Sequence, residues 1–276
     1  MGVARYGEPR ECRQTLVLLH GFTGSSAHWT DLCLQPENTL NTGVGDPFGE
    51  IGLIALDMLG HGESDTPADV ARYSIEHCRN DILAVLETLG IQPGEAILLG
   101  YSMGGRIALY TALSSFFRAL ILESASPGLA DPIEREQRRQ HDNALATRIE
   151  REGMEAFVDY WEQIPLFASQ RNLPPETQAT LRAQRLNNRA NGLANSLRGV
   201  GTGVQPALHK RLGALTSPTL LLAGELDGKF CQIARQMATC IPRASLRIVP
   251  DAGHTIHLEQ PEAFATLVRE FCRTVC

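Results

Sequence analysis

The chain has 276 residues, 43% hydrophobic and 20% charged, with a net charge of −6. That is ordinary composition for a globular enzyme, and the length suffices to bury roughly three quarters of the unfolded surface in one large domain or two small ones. The acidic balance gives no case for nucleic acid, no apolar run approaches the ~18 residues of a transmembrane helix, and the opening segment has neither an apolar signal core nor, with Tyr6, the hydroxyl residue of a myristoylation signal, so a cytoplasmic protein is expected.

In chain order, apolar strand candidates fall at 15–20, 51–56, 96–100, 119–123, 218–223 and 245–249. Helical patterns lie between several of them, as in Asp81–Leu89 with Gly90 as a stop signal. A last helix begins near Pro261, a good first-turn proline. Continuous apolar strands alternating with helices predict an α/β fold, a mostly parallel sheet with helices on both faces. The turn-rich segment Asn38 to Gly49 looks longer than a typical first helix–strand connection.

The alternation breaks between about 128 and 212. This stretch has helical periodicity, punctuated by Pro132, Pro165, Pro174 and Pro175, and no strand-like run. The expected organisation is an α/β core, 1–127 and 213–276, with a helical cap inserted at 128–212. Open α/β sheets bind ligands at the carboxyl ends of their strands, so an insertion leaving from such an end roofs the site.

Gly100-Tyr101-Ser102-Met103-Gly104 follows the apolar run Ala96–Leu99 and carries a serine at the tip of a strand-to-helix turn. Such a turn is crowded, so the residues two before and two after the serine must be small. The G-x-S-x-G pattern is the nucleophile elbow of α/β-hydrolases. Two partners follow in that fold's order, Asp227 after the strand Leu220–Ala223 and His254 after Leu246–Val249. A serine hydroxyl is too weak an acid to ionise unaided. An imidazole takes its proton, and a carboxylate orients the imidazole and stabilises its charged form. An oxyanion hole needs two convergent backbone N–H groups, one after the nucleophile and one from an early strand-end loop. These are Met103 and Phe22. His20, beside Phe22, reads as a structural histidine bracing that loop.

The seven cysteines (Cys12, Cys33, Cys78, Cys231, Cys240, Cys272 and Cys276) are odd in number and form no C-x-x-C pair. They predict neither a disulfide framework nor a zinc site. No site for a metal, nucleotide or flavin is visible.

Residues 131–211 carry 12 Lys+Arg, eleven of them Arg, and 10 Asp+Glu, a balance of +2; the rest of the chain carries 13 and 21, a balance of −8. Most of these arginines are expected on solvated helix faces, in i,i+4 pairs such as Arg138 with Asp142. A few facing inward would bind an anion, since a guanidinium fork matches a carboxylate. Arg106 lies one turn beyond Ser102 in a central helix, where a charge is costly unless paired. Its partner is either a neighbouring carboxylate or a substrate carboxylate.

The motifs His20–Ser26 with Trp29, Asp57–Ser64 and Gly100–Arg106 resemble the α/β-hydrolase superfamily. Ser126–Leu129, the Arg138 region, Tyr160–Phe167, Gln184–Asn188, Gly224–Phe230 and Gly253–His257 narrow this. Together they resemble the 2-succinyl-6-hydroxy-2,4-cyclohexadiene-1-carboxylate synthases of menaquinone and phylloquinone biosynthesis, over nearly the whole chain. The resemblance implies a cofactor-free elimination of pyruvate from a small tricarboxylate, with Ser102 as a general base. It further implies substrate contacts from Tyr101, Arg106, Arg138, Trp161 and Arg185, with Arg135 and Arg139 close enough on the same helix to compete for the Arg138 role. An ester or C–C bond hydrolase, or a hydrolase-fold ligand receptor, would use the same core residues. The hydrolase predicts fewer cap arginines and none in the elbow helix; the receptor predicts binding without products. Oligomeric state stays open.

Overall fold

A computed structural model of the chain describes residues 1–6, 14–30 and 51–275. The turn-rich segment Asn38 to Gly49 and Cys12, Cys33 and Cys276 lie outside the described residues.

Among those residues, seven strands form one sheet: β1 (Val3–Tyr6), β2 (Gln14–Leu19), β3 (Ile51–Leu56), β4 (Ala96–Tyr101), β5 (Ala119–Glu123), β6 (Thr219–Gly224) and β7 (Ala244–Val249), in spatial order β1-β3-β2-β4-β5-β6-β7. Only β1 pairs antiparallel, against β3; every other neighbouring pair is parallel. The six apolar runs read from the sequence become β2 to β7 with ends shifted by a residue or so. Strand β1 went unread: it has four residues, no apolar run, and lies at the sheet edge, where a strand needs only one partner.

Alternate residues serve opposite faces, as the pleat requires. Val17, Leu19, Ile54 and Leu98 pack with Ile82 and Leu86 of α1 (Ile75–Thr88) and Ile107 of α2 (Met103–Ala112). Leu16, Leu18, Ile97 and Leu99 pack on the other face with Trp29 and with Phe264 and Val268, which belong to the C-terminal helix Pro261–Thr274. Both faces of β4, β5 and β6 are buried, which explains why these strands read as continuous apolar runs.

Between β5 and β6 the described elements are all helical: α3 (Pro132–Trp161), a 3₁₀ segment Pro165–Asn172, α4 (Pro175–Leu186), α5 (Ala190–Val200) and a short 3₁₀ turn. Gly153 breaks α3 into two segments with φ 80°, a left-handed conformation that favours glycine. These helices have their own apolar cluster, with Leu145, Ile149, Phe157 and Val158 of α3 against Leu193 and Leu197 of α5. After β6 come α6 (Gly228–Cys240), β7, the short α7 (Ile256–Glu259) and α8 (Pro261–Thr274). No helix of the described residues is long and apolar enough to cross a membrane.

Candidate active site

The β4–α2 turn sets the site. Ser102 sits at φ 52°, ψ −108°, outside the regions a serine normally occupies, and opens α2. Its N–H donates to Glu123 O at 2.9 Å. The turn closes only with glycine at 104, because a Cβ there would run into the carbonyls of Leu19 and His20. Such strain persists only where surrounding structure enforces it, and it clusters at active sites.

Asp227 follows β6 and caps α6, accepting the Phe230 N–H at 3.2 Å on Oδ1. Its other oxygen, Oδ2, lies 2.7 Å from His254 Nδ1, and His254 Nε2 lies 3.0 Å from Ser102 Oγ. With Nδ1 carrying the proton toward the carboxylate, Nε2 is left to accept from the serine hydroxyl. His254 is buried, 1% exposed. Its ring is walled by Phe230 at 4.6 Å, Tyr101 at 5.6 Å and Phe167 at 5.9 Å between centroids.

A cavity of about 330 Å³ opens over Ser102 and His254, and Phe22, Tyr101 and Met103 line it. Met103 is the first residue of α2, so its N–H has no intrahelical acceptor. Phe22 follows β2, on the turn that His20 braces. His20 Nε2 accepts the Met58 N–H at 3.0 Å while Nδ1 lies 2.8 Å from Gly21 O. Burial lowers the pKa of His20 below the usual histidine value. Its two nitrogens thus hold the ends of β2 and β3 together, at a distance from the serine chemistry.

Arg106, Arg138 and Trp161 also line the cavity. Arg106 Nη1 donates to Val200 O at 2.9 Å and to Gln205 Oε1. Among the described residues no carboxylate pairs with it. Burial, and secondarily the nearby charge of Arg138, pushes its pKa down to about 10 against the pull of Asp142. Arg106 therefore lines the cavity with no carboxylate in direct contact, Asp142 acting on it only at a distance. Arg138 Nε donates to Asp142 Oδ1 at 2.7 Å, the i,i+4 pair read from the sequence. Arg135 and Arg139 are turned elsewhere, Arg135 to the Val204 and Gln205 carbonyls and Arg139 to Glu136. Trp161 packs on Phe22 at 5.3 Å and Phe167 at 5.6 Å; its Nε1 is buried without a partner among the described residues.

Arg185 is placed differently. It does not line this cavity but lies behind Phe167, its guanidinium carbon 5.5 Å from that ring, beside a second cavity of about 220 Å³. It is 4% exposed and bonded to Glu162 and Gln170. Tyr101 lines the cavity, and its hydroxyl is buried against Thr255 Oγ1 at 2.8 Å. One cavity-lining charge was not singled out from the sequence, Lys229, and Asp142, expected on a solvated helix face, is buried in the cavity lining. Lys229 sits two residues past Asp227 on α6, and that adjacency was the available signal.

Fold and site together define the class. A protein-family model described as the alpha/beta hydrolase fold matches residues 14–261, and the chain is an enzyme of that fold. A Bacillus subtilis (strain 168) protein, provisionally named a 2-succinyl-6-hydroxy-2,4-cyclohexadiene-1-carboxylate synthase, is 42% identical over 95% of this chain and 91% of its own. The synthase of that name from Serratia proteamaculans (strain 568) is 36% identical over 94% and 93%. The structure of MenH from S. aureus superposes with a TM-score of 0.88 at 36% identity, covering 99% of this chain and 98% of that one. The chain belongs to the 2-succinyl-6-hydroxy-2,4-cyclohexadiene-1-carboxylate synthase family.

Proposed function

We propose that this enzyme eliminates pyruvate from 2-succinyl-5-enolpyruvyl-6-hydroxy-3-cyclohexene-1-carboxylate to give 2-succinyl-6-hydroxy-2,4-cyclohexadiene-1-carboxylate. The observation that carries the reading is one cavity holding both the Ser102–His254–Asp227 hydrogen-bond chain and a guanidinium, Arg106, with no carboxylate of its own. Hydrolysis of a neutral ester needs the first and not the second. A tricarboxylate substrate needs both.

Ser102 acts as general base. It accepts the proton next to the succinyl ketone as its own proton passes to His254 Nε2, and Asp227 stabilises the imidazolium. The electron pair left on carbon is held as an enolate, whose oxygen is an oxyanion for the Phe22 and Met103 N–H groups. That pair then forms the C2–C3 double bond, the existing C3–C4 double bond shifts to C4–C5, the bond from C5 to the enolpyruvyl oxygen breaks, and the proton on His254 returns to the leaving group, which becomes pyruvate. Arg106 and Arg138 bind substrate carboxylates, with Trp161 and the Tyr101 ring as the apolar wall. Residues 128–212 act as a cap on a core of 1–127 and 213–276, supplying Arg138 and Trp161. The chemistry requires no cofactor.

The test is incubation of the purified protein with the enolpyruvyl substrate, with pyruvate followed by a coupled lactate dehydrogenase. Release that disappears in Ser102→Ala supports the reading; no release from the wild-type protein refutes it.

A further inference from the structure

His254 sits on a loop held from two directions. The N–H groups on either side of it, Gly253 and Thr255, both donate to Glu259, to Oε2 at 2.6 Å and to Oε1 at 3.1 Å. The second hold comes from the helical segment between β5 and β6. Gln170, on the 3₁₀ segment Pro165–Asn172, donates from Nε2 to Thr255 Oγ1 at 2.8 Å, and Thr255 Oγ1 also meets the Tyr101 hydroxyl at 2.8 Å. Gln170 Oε1 accepts from Arg185 Nη2 at 2.8 Å, and Arg185 Nη1 donates to Glu162 at 3.1 Å.

The direction of this chain is set by chemistry. A guanidinium only donates, so the Gln170 oxygen must face Arg185, which turns the amide nitrogen onto Thr255. Gln170, Arg185, Thr255 and Tyr101 are all buried, with Gln170 and Arg185 bordering the second cavity, and along such a buried chain each bond orients the next. Neither Gln170 nor Arg185 lines the cavity over Ser102. Arg185 also lies against Phe167, which lines that cavity, so the path through the loop that carries His254 is isolated by changes at Gln170 and Thr255.

We propose that Gln170 is a positioning residue for His254: oriented by Arg185, it fixes Thr255 and so the distance from His254 Nε2 to Ser102. Arg185 then serves the reaction through this chain rather than as a contact to a substrate carboxylate. The inference rests on the synthase reading for its kinetic arm alone.

The experiment compares the wild-type protein with Gln170→Met, Arg185→Met, Thr255→Val and the Gln170→Met/Thr255→Val double variant, well below their melting temperatures. Two rates are measured. One is single-turnover pyruvate release, with its half-saturating enzyme concentration. The other is labelling by an uncharged fluorophosphonate, in which Ser102 Oγ bonds to phosphorus, fluoride leaves and the serine proton passes to His254. That probe carries no carboxylate and reads the serine–histidine geometry alone.

Each single variant should slow both rates by about 10-fold or more, the scale expected for a misplaced catalytic group. Half-saturation should stay within about twofold. The double variant should be no slower than the slower single, because both changes cut one chain. Should Gln170→Met fail to fold, Thr255→Val removes the same hydrogen bond from its other end. A raised half-saturating concentration in Arg185→Met with both rates unchanged would make Arg185 a substrate contact and overturn the proposal, as would wild-type rates throughout. If the wild-type protein releases no pyruvate, the synthase reading falls by itself, and the labelling rates still decide the positioning role.

Discussion

Asp142 holds Arg138 at the cavity wall, its Oδ1 2.7 Å from the guanidinium Nε, while its second oxygen is buried with no partner among the described residues. One carboxylate thus tethers the arginine by one nitrogen and leaves the outer edge of the guanidinium toward the cavity. Arg106, in the same cavity, has neutral acceptors only.

The two arginines should therefore respond differently to truncation. Arg106→Ala removes a charge that no internal carboxylate needs, so kcat/KM for pyruvate release should fall by about 10- to 150-fold, the value of a charge-assisted bond to a buried anion, with little loss of melting temperature. Arg138→Ala should lower kcat/KM and also the melting temperature, because Asp142 stays buried without its partner. Arg138→Ala/Asp142→Asn should recover the melting temperature and not the activity. Recovery of both would show that Arg138 is structural.

Ser102→Ala, Asp227→Asn and His254→Ala should each lower turnover by at least ~10²-fold, the scale of general-base catalysis. Steady-state pyruvate release from folded variants measures this. Near-normal turnover in any one of them removes that residue from the proton-transfer chain.

Ser102 should form no acyl-enzyme in the native reaction, since the proposed step removes a proton and cleaves no ester. Intact-protein mass spectrometry during turnover should show the unmodified mass. A substrate-derived adduct on Ser102 would favour acyl transfer, and with it a hydrolase.

Acid should destabilise the fold through its buried histidines. Burial lowers the pKa of His61 to about 3 and also lowers those of His20 and His28. On unfolding these rings recover an ordinary value and bind protons below about pH 6.5. Between there and the folded value the unfolded state holds more protons, so stability falls as pH falls, by up to about 1.4 kcal/mol per pH unit for each ring. Denaturant titrations from pH 7 to 4 should show this slope, and His61→Gln should make it shallower. An unchanged slope would mean that His61 does not titrate as its burial requires.

Much of the architecture was legible before folding because it rests on local rules. Strands β4, β5 and β6 announced themselves because both faces of the sheet are buried there, which forces unbroken apolar runs; β7, at the edge, is only half-buried and its run is broken by Arg247. The turn at Ser102 was legible because crowding admits only glycine at 104. The candidates Ser102, Asp227 and His254 could be named because each follows a strand at its carboxyl end, where the sheet geometry makes side chains converge.

What the sequence left open is what depends on side-chain direction and on partners distant in the chain. The four residues of β1 carry no pattern of their own and become a strand only by pairing with β3. Arg106 could equally have met a carboxylate; the fold brings it Val200 and Gln205, about a hundred residues away, and no carboxylate among the described residues. Arg138 and Arg185 look alike in sequence, as arginines on helices between β5 and β6. Tertiary packing alone turns the first into the cavity and the second behind Phe167 onto Gln170, because a helix fixes where a side chain starts and its neighbours decide where the guanidinium ends.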